Sequence, residues 1–513
     1  MDLLIIGLDG LSYNMLDRFD IELDYFDRTR QQGVSGDLMS VDTPTTFPAW
    51  TSFATGKDPG SHGVCDMITQ NPDYSTQSVQ TTTDDPAICD FFDNGIFINL
   101  PASADRIPQG EDTFVVPAFD AKDKETAVPE ELKSLEAYDD YALSHNPKLK
   151  TSPKRYLQHV IDISEARGAF AAEAFETYDP DIGFVLFSTP DWAGHLLGTL
   201  NTETQRREFY TKLLTHVDEW AGRLAERADN VVLMSDHGFE QKDKTVHIAN
   251  WLRDEGYLVE TESDGLPSMS EVTIDIATSI AKRSDLLYGA MRRVHNRILG
   301  LDWGTSLQTA TRPDADYERS TAWQLRYATV YLNDDRFDSP TVDDPEPIRK
   351  EIQEGLEKLT DTDGEPVFRD VLLPDEAYNS PGPHVPDVIA RPAAGNHPLR
   401  AWSPKGGVTS PTTSFEHRYR GIFVANGPLF GDGSVKDMNI IDVLPTVMTA
   451  LGKPVSPAFD GETIGDVLAE STEPAVLRSE EMPTAHIRSP DDAVGEERGA
   501  VVEERLEDLG YME

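Results

Sequence analysis

Cysteine is scarce in this sequence, and long apolar segments are missing from it. The chain has two cysteines, Cys65 and Cys89, among 513 residues. Two thiols are too few for a disulfide framework or a four-sulfur metal site, and they suit a reducing compartment. No window approaches the roughly 18 uninterrupted apolar residues of a membrane helix, and the apolar run at 3–6 is too short for a signal-peptide core. We therefore expect a soluble, cytoplasmic protein without membrane insertion.

Basic residues are also few. Lys and Arg number 45 against 91 Asp and Glu, which gives a formal net charge of −46. Nucleic acids and anionic lipid head groups are bound through clustered Lys and Arg, so this balance excludes both as default partners. The composition is similar to that of halophilic proteins, in which high ionic strength screens the repulsion between acidic groups. We expect the fold to lose stability at low salt.

Short runs of β-branched and aliphatic residues recur along the chain and indicate buried parallel strands. The runs lie at 3–6, 183–187, 231–234, 388–390 and 421–425. Helical patterns precede the second and third runs, at 155–178 and 202–228. This alternation predicts an α/β fold with a mainly parallel central sheet and helices on both of its faces. The length allows two to four units of about 150 residues, or one large core with insertions.

Two polar stretches interrupt the alternation, at 102–152 and 261–320, and the second contains a candidate amphipathic helix at 286–298. Insertions of this kind often cover an active site and set its selectivity. The sequence therefore predicts two cap insertions and a discontinuous catalytic core at 1–101, 153–260 and 321–470. From 471 to 513 the chain is a polar, acidic tail, in which helical spacing at 501–511 predicts a short docking helix.

Metal-binding side chains directly follow three of the predicted strands. The first strand is followed by Asp9, the second by Asp191 and His195, and the third by Asp236 and His237. Because ligands bind at the carboxyl ends of the strands in an open parallel sheet, we expect these side chains at one edge. Mixed carboxylate and imidazole sets suit Zn²⁺ or Mn²⁺, and a pair of such ions would assist phosphoryl transfer.

Each of these residues has an ordinary alternative when it is taken alone. An aspartate at a strand end often forms a turn or caps a helix, and a histidine is often packed in the core. Their joint occurrence at equivalent strand ends favours the metal site.

The segment 43–56 carries a candidate nucleophile. Pro48 near its start and Gly56 at its end predict a helix at 49–54. Thr46 would then lie just before a helix N-terminus, where free N–H groups favour a bound phosphate. A threonine hydroxyl becomes a nucleophile when metal coordination activates it. The alternative is that Thr45 or Thr46 only caps the helix.

In this order, the motifs resemble those of the type I phosphodiesterase/nucleotide pyrophosphatase family of the alkaline phosphatase superfamily, over residues 1–465. The resemblance implies an alkaline-phosphatase-like three-layer sandwich and two divalent metal ions, zinc or else manganese. It implies that Thr46 is the nucleophile and forms a covalent phospho-enzyme. One metal would be held by Asp9, Thr46, Asp236 and His237. The other would be held by Asp191, His195 and His417, and His417 is identified by the resemblance alone.

The segment 62–67 departs from the family. Nucleotide pyrophosphatases of the family carry an asparagine there that hydrogen-bonds the phosphate, whereas this chain reads His-Gly-Val-Cys-Asp-Met. Other donors must then bind the substrate phosphate, and the candidates are Lys57, His62 and His247. Each of the three is more often structural or solvated than functional. A nucleotide substrate therefore does not follow from the resemblance.

The sequence predicts an enzyme, a metal-dependent phosphoester hydrolase that acts on a small substrate, with a phosphodiesterase as the first interpretation. A sulfatase is disfavoured because the Thr46 segment lacks the oxidisable Cys or Ser and the Arg of that class. A phosphoglycerate mutase would need a serine nucleophile and a large inserted domain. The open alternatives are a phosphomonoesterase or phosphotransferase of the same superfamily, and a non-catalytic module that binds a phosphorylated ligand. The oligomeric state does not follow from the sequence.

Overall fold

The computed structural model describes residues 1–78, 83–261, 315–398, 407–470, 474–478 and 481–487. Within them, a central sheet of nine strands dominates the fold. Numbered in chain order, its strands are β1 (Leu3–Leu8), β2 (Val34–Met39), β5 (Asn94–Leu100), β6 (Asp112–Pro117), β7 (Ile182–Phe187), β8 (Asn230–Met234), β18 (Arg420–Asn426), β19 (Gly433–Ser434) and β20 (Met438–Asn439).

The other strands form smaller sheets around this one. They are β3 (Ile68–Gln70), β4 (Thr76–Ser78), β9 (Gly238–Gln241), β10 (Lys244–Val246), β11 (Ala322–Gln324), β12 (Thr329–Leu332), β13 (Phe368–Leu372), β14 (Val388–Pro392), β15 (Asn396–Pro398), β16 (Thr409–Pro411) and β17 (Phe415–Arg418).

The described α-helices range from single turns to α6, which has 26 residues. They are α1 (Tyr13–Phe19), α2 (Asp24–Gln32), α3 (Thr46–Thr55), α4 (Pro59–His62), α5 (Lys124–Ala127), α6 (Pro153–Tyr178), α7 (Thr189–Gly194), α8 (Glu203–Ala225), α9 (Ile248–Asp254), α10 (Pro345–Glu357), α11 (Pro374–Ala377) and α12 (Val443–Ala450).

The central sheet is mostly parallel. Its strand order is β19-β2-β18-β8-β1-β7-β5-β6, with β20 paired to β2. The five strands from β8 to β6 run parallel to one another, and β18 runs antiparallel to both β8 and β2. Because β1 lies between β7 and β8, the carboxyl ends of these three strands meet at one edge.

Helices cover both faces of the sheet and form a three-layer sandwich. In β1, Leu4 and Ile6 belong to the core on one face, together with apolar residues of α1, α2, α6 and α8. Leu3 and Ile5 belong to the core on the other face, with residues of α3 and α12. Successive side chains of a strand point to opposite faces, so a continuous apolar run is what burial on both faces requires. The predicted α/β fold class is confirmed.

Most of the predicted elements are present, with one strand misassigned. The predicted helices at 155–178 and 202–228 correspond to α6 and α8. Four of the five apolar runs are β1, β7, β8 and β18 of the central sheet. The run at 388–390 is different, since it lies in β14 of a separate four-stranded sheet with the order β11-β12-β14-β13. That sheet has its own apolar core, to which α9 and α10 contribute.

The predicted insertions are described in part. The range 102–152 contains β6, which forms an edge strand of the central sheet, so this piece belongs to the core sheet. The later part of the range contacts α6 through short 3₁₀ turns at Glu136–Tyr138 and Pro147–Thr151. Most of the range 261–320, including the predicted helix at 286–298, lies outside the described residues. The cap role of both ranges stays a prediction.

The tail is described only in short pieces, and its predicted helix at 501–511 lies outside them. In the described part, the backbone N–H of Ile107 donates to the carbonyl of His486 over 2.8 Å. Val476 forms an isolated bridge with Val455. Among the described helices, none is long and apolar enough to cross a membrane.

The contact between α6 and α8 generates a stability prediction. A Cβ atom added at Gly168 in α6 would lie 2.2 Å from Cδ2 of the Trp220 ring in α8. Alanine normally stabilises a helix interior relative to glycine by roughly 0.5–1 kcal/mol. Here the overlap forces the helices apart, so we expect Gly168→Ala to lower the free energy of unfolding by about 1–3 kcal/mol. Denaturant unfolding in molar KCl measures the change.

Gly465→Ala is the matched control, because a Cβ at Gly465 meets no atom within 4 Å. We expect this variant to unfold within about 0.5 kcal/mol of the wild type. A Gly168→Ala protein that is as stable as the control would contradict the packing argument.

Candidate active site

Two groups of side chains converge at the carboxyl edge of β1, β7 and β8. Asp9 follows β1, and its backbone N–H donates to the carbonyl of Phe187 at the end of β7 over 3.1 Å. Asp191 lies in α7, which follows β7, and His195 lies at the C-terminal end of that helix. Asp236 and His237 follow β8 directly. The strand-end prediction thus corresponds to a real cluster of side chains.

The first group consists of Asp9, Asp236 and His237, and we call it cluster 1. One ligand atom from each residue lies within 4.8 Å of the others, and all three side chains are buried. The Nε2 atom of His237 is 3.3 Å from Oδ2 of Asp236 and 3.7 Å from Oδ1 of Asp9. The backbone N–H of Gly10 donates to the other oxygen of Asp236 over 3.2 Å and fixes that carboxylate.

The second group consists of Asp191, His195 and His417, and we call it cluster 2. Its ligand atoms also lie within 4.8 Å of one another. The Nε2 atom of His417 is 3.1 Å from Oδ1 of Asp191 and 3.1 Å from Nε2 of His195. The His195 side chain is 27% exposed, whereas that of Asp191 is 1% exposed, so cluster 2 is reached by solvent through His195.

Strand pairing brings the two clusters together. His417 lies in β17, which pairs with β9, and β9 begins directly after His237. The rings of His237 and His417 consequently stack with their centroids 3.8 Å apart. The two clusters therefore form a single site with a histidine of each in contact.

Thr46 is the first residue of α3, so the helix begins earlier than the predicted start at 49. Thr45 is the N-cap residue. The Thr46 side chain is buried, and α3 is anchored to the sheet by Trp50, whose ring packs 5.6 Å from that of Phe184. The loop before α3 contacts cluster 2, because the Pro44 carbonyl lies 3.0 Å from Nδ1 of His417.

Several buried polar atoms of the site have no hydrogen-bond partner among the described residues. They are Oδ1 of Asp9, Oδ2 of Asp236, Nε2 of His237 and Oγ1 of Thr46. A buried polar group without a partner costs free energy, so such atoms are rare in folded proteins. Three of them belong to cluster 1 and are of metal-ligand type, which a bound cation would explain. The residues present therefore fit a divalent metal ion.

The electrostatics of cluster 1 lead to the same conclusion. Burial raises the pKa of Asp9 well above its usual value, and the Asp236 and Asp191 carboxylates raise it further. Burial likewise raises the pKa of Asp236. Burial lowers the pKa of His237, which keeps this imidazole neutral and its lone pair available. A divalent cation would reverse the unfavourable interaction between the carboxylates.

The outer nitrogen of each histidine faces an acceptor. Nδ1 of His237 lies 3.2 Å from the Gly238 carbonyl, and Nδ1 of His417 lies 3.0 Å from the Pro44 carbonyl. Nδ1 of His195 is 3.6 Å from the Glu416 carboxylate. A proton on Nδ1 leaves the Nε2 lone pair directed at the cluster, which is the arrangement typical of metal-bound histidines.

The three residues predicted as weak substrate contacts have other neighbours. Lys57 follows the C-terminal end of α3 and pairs with Asp85 over 2.6 Å. Since Thr46 begins that ten-residue helix, the two lie about 15 Å apart along its axis. His62 bonds through Nε2 to Ser52 Oγ over 2.8 Å. The Nε2 atom of His247 contacts the hydroxyl of Ser410 over 2.8 Å.

These contacts give Lys57, His62 and His247 structural partners. A role for them in substrate binding stays a prediction.

Sequence reasoning missed several polar residues around cluster 2. Tyr327 lies in the turn between β11 and β12, with its hydroxyl 3.0 Å from Nδ1 of His417. Its neighbour Arg326 pairs with Asp66 over 3.2 Å. Glu416 precedes His417, and burial raises the pKa of its carboxyl group to about 7. Adjacency to His417 could have identified Glu416, but the turn residues carry no sequence signal for their position.

The chain matches the family described as Type I phosphodiesterase / nucleotide pyrophosphatase over residues 3–421. No match is found among curated proteins. The solved structure of phosphonoacetate hydrolase from Sinorhizobium meliloti 1021 is similar, with a TM-score of 0.54 and 15% identity over 88% of this chain and 95% of that chain. Human ectonucleotide pyrophosphatase/phosphodiesterase 5 gives a TM-score of 0.51 and 15% identity, over 92% of this chain and 100% of that chain. Both likenesses support the same fold.

The repulsion between the carboxylates of cluster 1 predicts that one substitution has opposite effects without metal and with zinc. In metal-free protein we expect Asp236→Asn to raise the free energy of unfolding by about 1 kcal/mol, since it removes one of two neighbouring buried charges. With zinc present, the wild type should gain more thermal stability than this variant, which has lost a charged ligand. Thermal unfolding at pH 7 with chelator or with zinc measures both effects.

Asp218→Asn is the control. Asp218 is a buried carboxyl group that accepts the backbone N–H groups of Tyr25 and Phe26, away from both clusters. We expect this variant to keep the full zinc-dependent gain. An Asp236→Asn protein that zinc stabilises as much as the wild type would contradict a metal site at cluster 1.

Proposed function

The chain belongs to the type I phosphodiesterase/nucleotide pyrophosphatase family, and from this premise we propose that it is a metal-dependent phosphodiesterase acting through a phosphothreonine at Thr46. Members of this family are phosphoester hydrolases, so the chain is an enzyme of that class. The observation that carries the finer proposal is the contact between clusters 1 and 2, with the rings of His237 and His417 stacked 3.8 Å apart.

We assign the two clusters to two divalent cations, zinc or else manganese. Asp9, Asp236, His237 and Thr46 would hold one, and Asp191, His195 and His417 would hold the other. Such ions, when bound, lower the pKa of hydroxyl groups and neutralise charge that develops on phosphoryl oxygens. Supporting this assignment, the donor atoms are mixed carboxylate and imidazole groups, the type that suits these metals.

The role proposed for Thr46 rests on its buried hydroxyl, which has no partner in the described part of the chain. The Thr46 hydroxyl would release its proton to solvent as Oγ1 attacks phosphorus, and the bond from phosphorus to the leaving oxygen would break in line with that attack. The departing alkoxide takes up a proton from solvent and leaves as the alcohol. Water then cleaves the phosphothreonine, releases the phosphoryl product and restores the hydroxyl.

The first turn of α3 would help to bind the phosphoryl group. The backbone N–H groups at a helix N-terminus have no partner within the helix and favour negative charge. In α3 these donors would be the N–H groups of Thr46 and Phe47, since Pro48 has none. They supply part of the binding that the asparagine missing from the segment 62–67 would otherwise give.

A second candidate is hydrolysis of a phosphomonoester or a phosphonate, whose phosphorus group carries more negative charge. One observation favours it. Arg326, with a side chain 11% exposed, pairs with Asp66 of the segment 62–67 and lies next to Tyr327 at cluster 2. A cation at this position would assist a dianionic group more than a monoanionic diester. A similar solved structure, phosphonoacetate hydrolase, is bound to phosphonoformate.

Hydrolysis of two chromogenic esters tests the proposal. Bis-p-nitrophenyl phosphate is compared with p-nitrophenyl phosphate in molar KCl with zinc or manganese. We expect faster cleavage of the diester and a loss of at least about 10³-fold in kcat/KM for Thr46→Ala. Mass spectrometry after an acid quench should find the phosphoryl group on Thr46 of the wild type.

Thr55→Ala is the matched control, because Thr55 ends the same helix and its hydroxyl donates to the Thr51 carbonyl over 2.8 Å. We expect its activity to stay near that of the wild type. Faster monoester cleavage would support the second candidate. An active Thr46→Ala protein would reject the phosphothreonine, and no cleavage of either ester with two metals bound would favour the non-catalytic alternative.

A further inference from the structure

The turn between β11 and β12 holds an aromatic residue in an unusual backbone conformation. Tyr327 has a φ of 43°, in the left-handed region that side chains other than glycine rarely adopt. The turn is closed around it, since the hydroxyl and the N–H of Thr329 donate to the Arg326 carbonyl over 2.7 and 3.1 Å. The side-chain amide of Gln324 donates to the Tyr327 carbonyl. A strained conformation of this kind persists where the surroundings fix it, often next to a functional site.

This conformation directs the Tyr327 side chain toward cluster 2. The phenol oxygen lies 3.0 Å from Nδ1 of His417. The ring centroids of Tyr327 and His417 are 6.3 Å apart, and the Tyr327 ring also contacts His397 edge-on at 5.7 Å. The smaller four-stranded sheet, which otherwise has its own core, thus reaches a residue of the central site.

The Nδ1 atom of His417 has two oxygen neighbours, the Pro44 carbonyl at 3.0 Å and the Tyr327 hydroxyl at 3.0 Å. With a cation bound at cluster 2, the Nε2 lone pair would face the cation. The proton would then lie on Nδ1, where the Pro44 carbonyl and the Tyr327 hydroxyl are both placed to accept it. The other ring nitrogen, Nε2, is the atom of His417 that lies 3.1 Å from the Asp191 carboxylate. Rotation of the ring would lose both contacts at once.

We propose that Tyr327 is a positioning residue for the metal site of cluster 2, because its hydroxyl holds His417 with Nε2 directed at Asp191 and His195. This inference rests on the proposed function in one respect, the assignment of a divalent cation to cluster 2. It goes further by giving Tyr327, a residue of the smaller sheet, a role in holding a ligand of that site in place. Loss of such an outer hydrogen bond typically lowers metal affinity by about 10–100-fold.

Zinc binding to the full chain tests the inference without any substrate. Affinities for the first and second zinc ions are measured by competition with a chromogenic chelator in molar KCl. The Asp191→Asn variant, which lacks a ligand of cluster 2, identifies the affinity that belongs to cluster 1. We expect Tyr327→Phe to weaken the zinc ion of cluster 2 by about 10–100-fold and to leave that of cluster 1 unchanged.

Tyr74→Phe is the matched control. Tyr74 also packs on the smaller sheet, and its hydroxyl bonds to the Asn333 amide oxygen over 3.0 Å, away from both clusters. We expect both zinc affinities of this variant to equal those of the wild type. In the Asp191→Asn background, Tyr327→Phe should have no effect on the remaining zinc ion, because the ion that depends on it is already lost.

Tyr327→Gly provides a second variant if Tyr327→Phe unfolds. Glycine adopts a positive φ without strain but lacks the hydroxyl. We therefore expect the zinc affinity of cluster 2 to fall in this variant although its backbone is unstrained. Two zinc ions bound to Tyr327→Phe or Tyr327→Gly with wild-type affinities would overturn this inference alone. A wild-type protein that binds fewer than two zinc ions would overturn the proposed function and this inference together.

Discussion

The site depends on two carboxylates, Asp9 and Asp236, that the fold buries against the same imidazole. Their separation is not free to relax, because they end the neighbouring strands β1 and β8, whose register the sheet fixes. Like charges buried together in a low-dielectric interior oppose folding unless a cation lies between them. The apolar cores on both faces of the sheet hold this unfavourable arrangement in place, and under the proposed assignment a bound metal ion would relieve it.

The central part of the fold could be read from the sequence because its strands are buried on both faces. Continuous apolar runs such as 3–6 and 231–234 leave little choice of structure, and the polar residue after each run marks the strand end. The run at 388–390 has the same composition but belongs to another sheet, since an apolar run specifies burial and not the sheet in which it lies. The helix of Thr46 was predicted to begin three residues late, because Pro48 is tolerated throughout the first turn.

The part of the site that sequence could not supply comes from short elements brought in by tertiary contacts. His417 lies in β17, a strand of four residues, and only the family resemblance identified it. Tyr327 lies in a turn whose position relative to cluster 2 depends on how two sheets pack. Neither has a periodic pattern of its own. Cluster 2 and its neighbours form the more exposed side of the site. The side chains of His195 and Glu416 are 27% and 22% exposed, whereas that of His237 is 0% exposed.

The most direct test of the account is anomalous diffraction at the zinc edge from crystals of the zinc-loaded protein grown at high salt. The account predicts two strong peaks about 4 Å apart. One should lie about 2.0–2.2 Å from oxygen and nitrogen atoms of Asp9, Asp236 and His237, and the other at the same distance from Asp191, His195 and His417. A single peak, or peaks found only among surface carboxylates with both clusters empty, would contradict it.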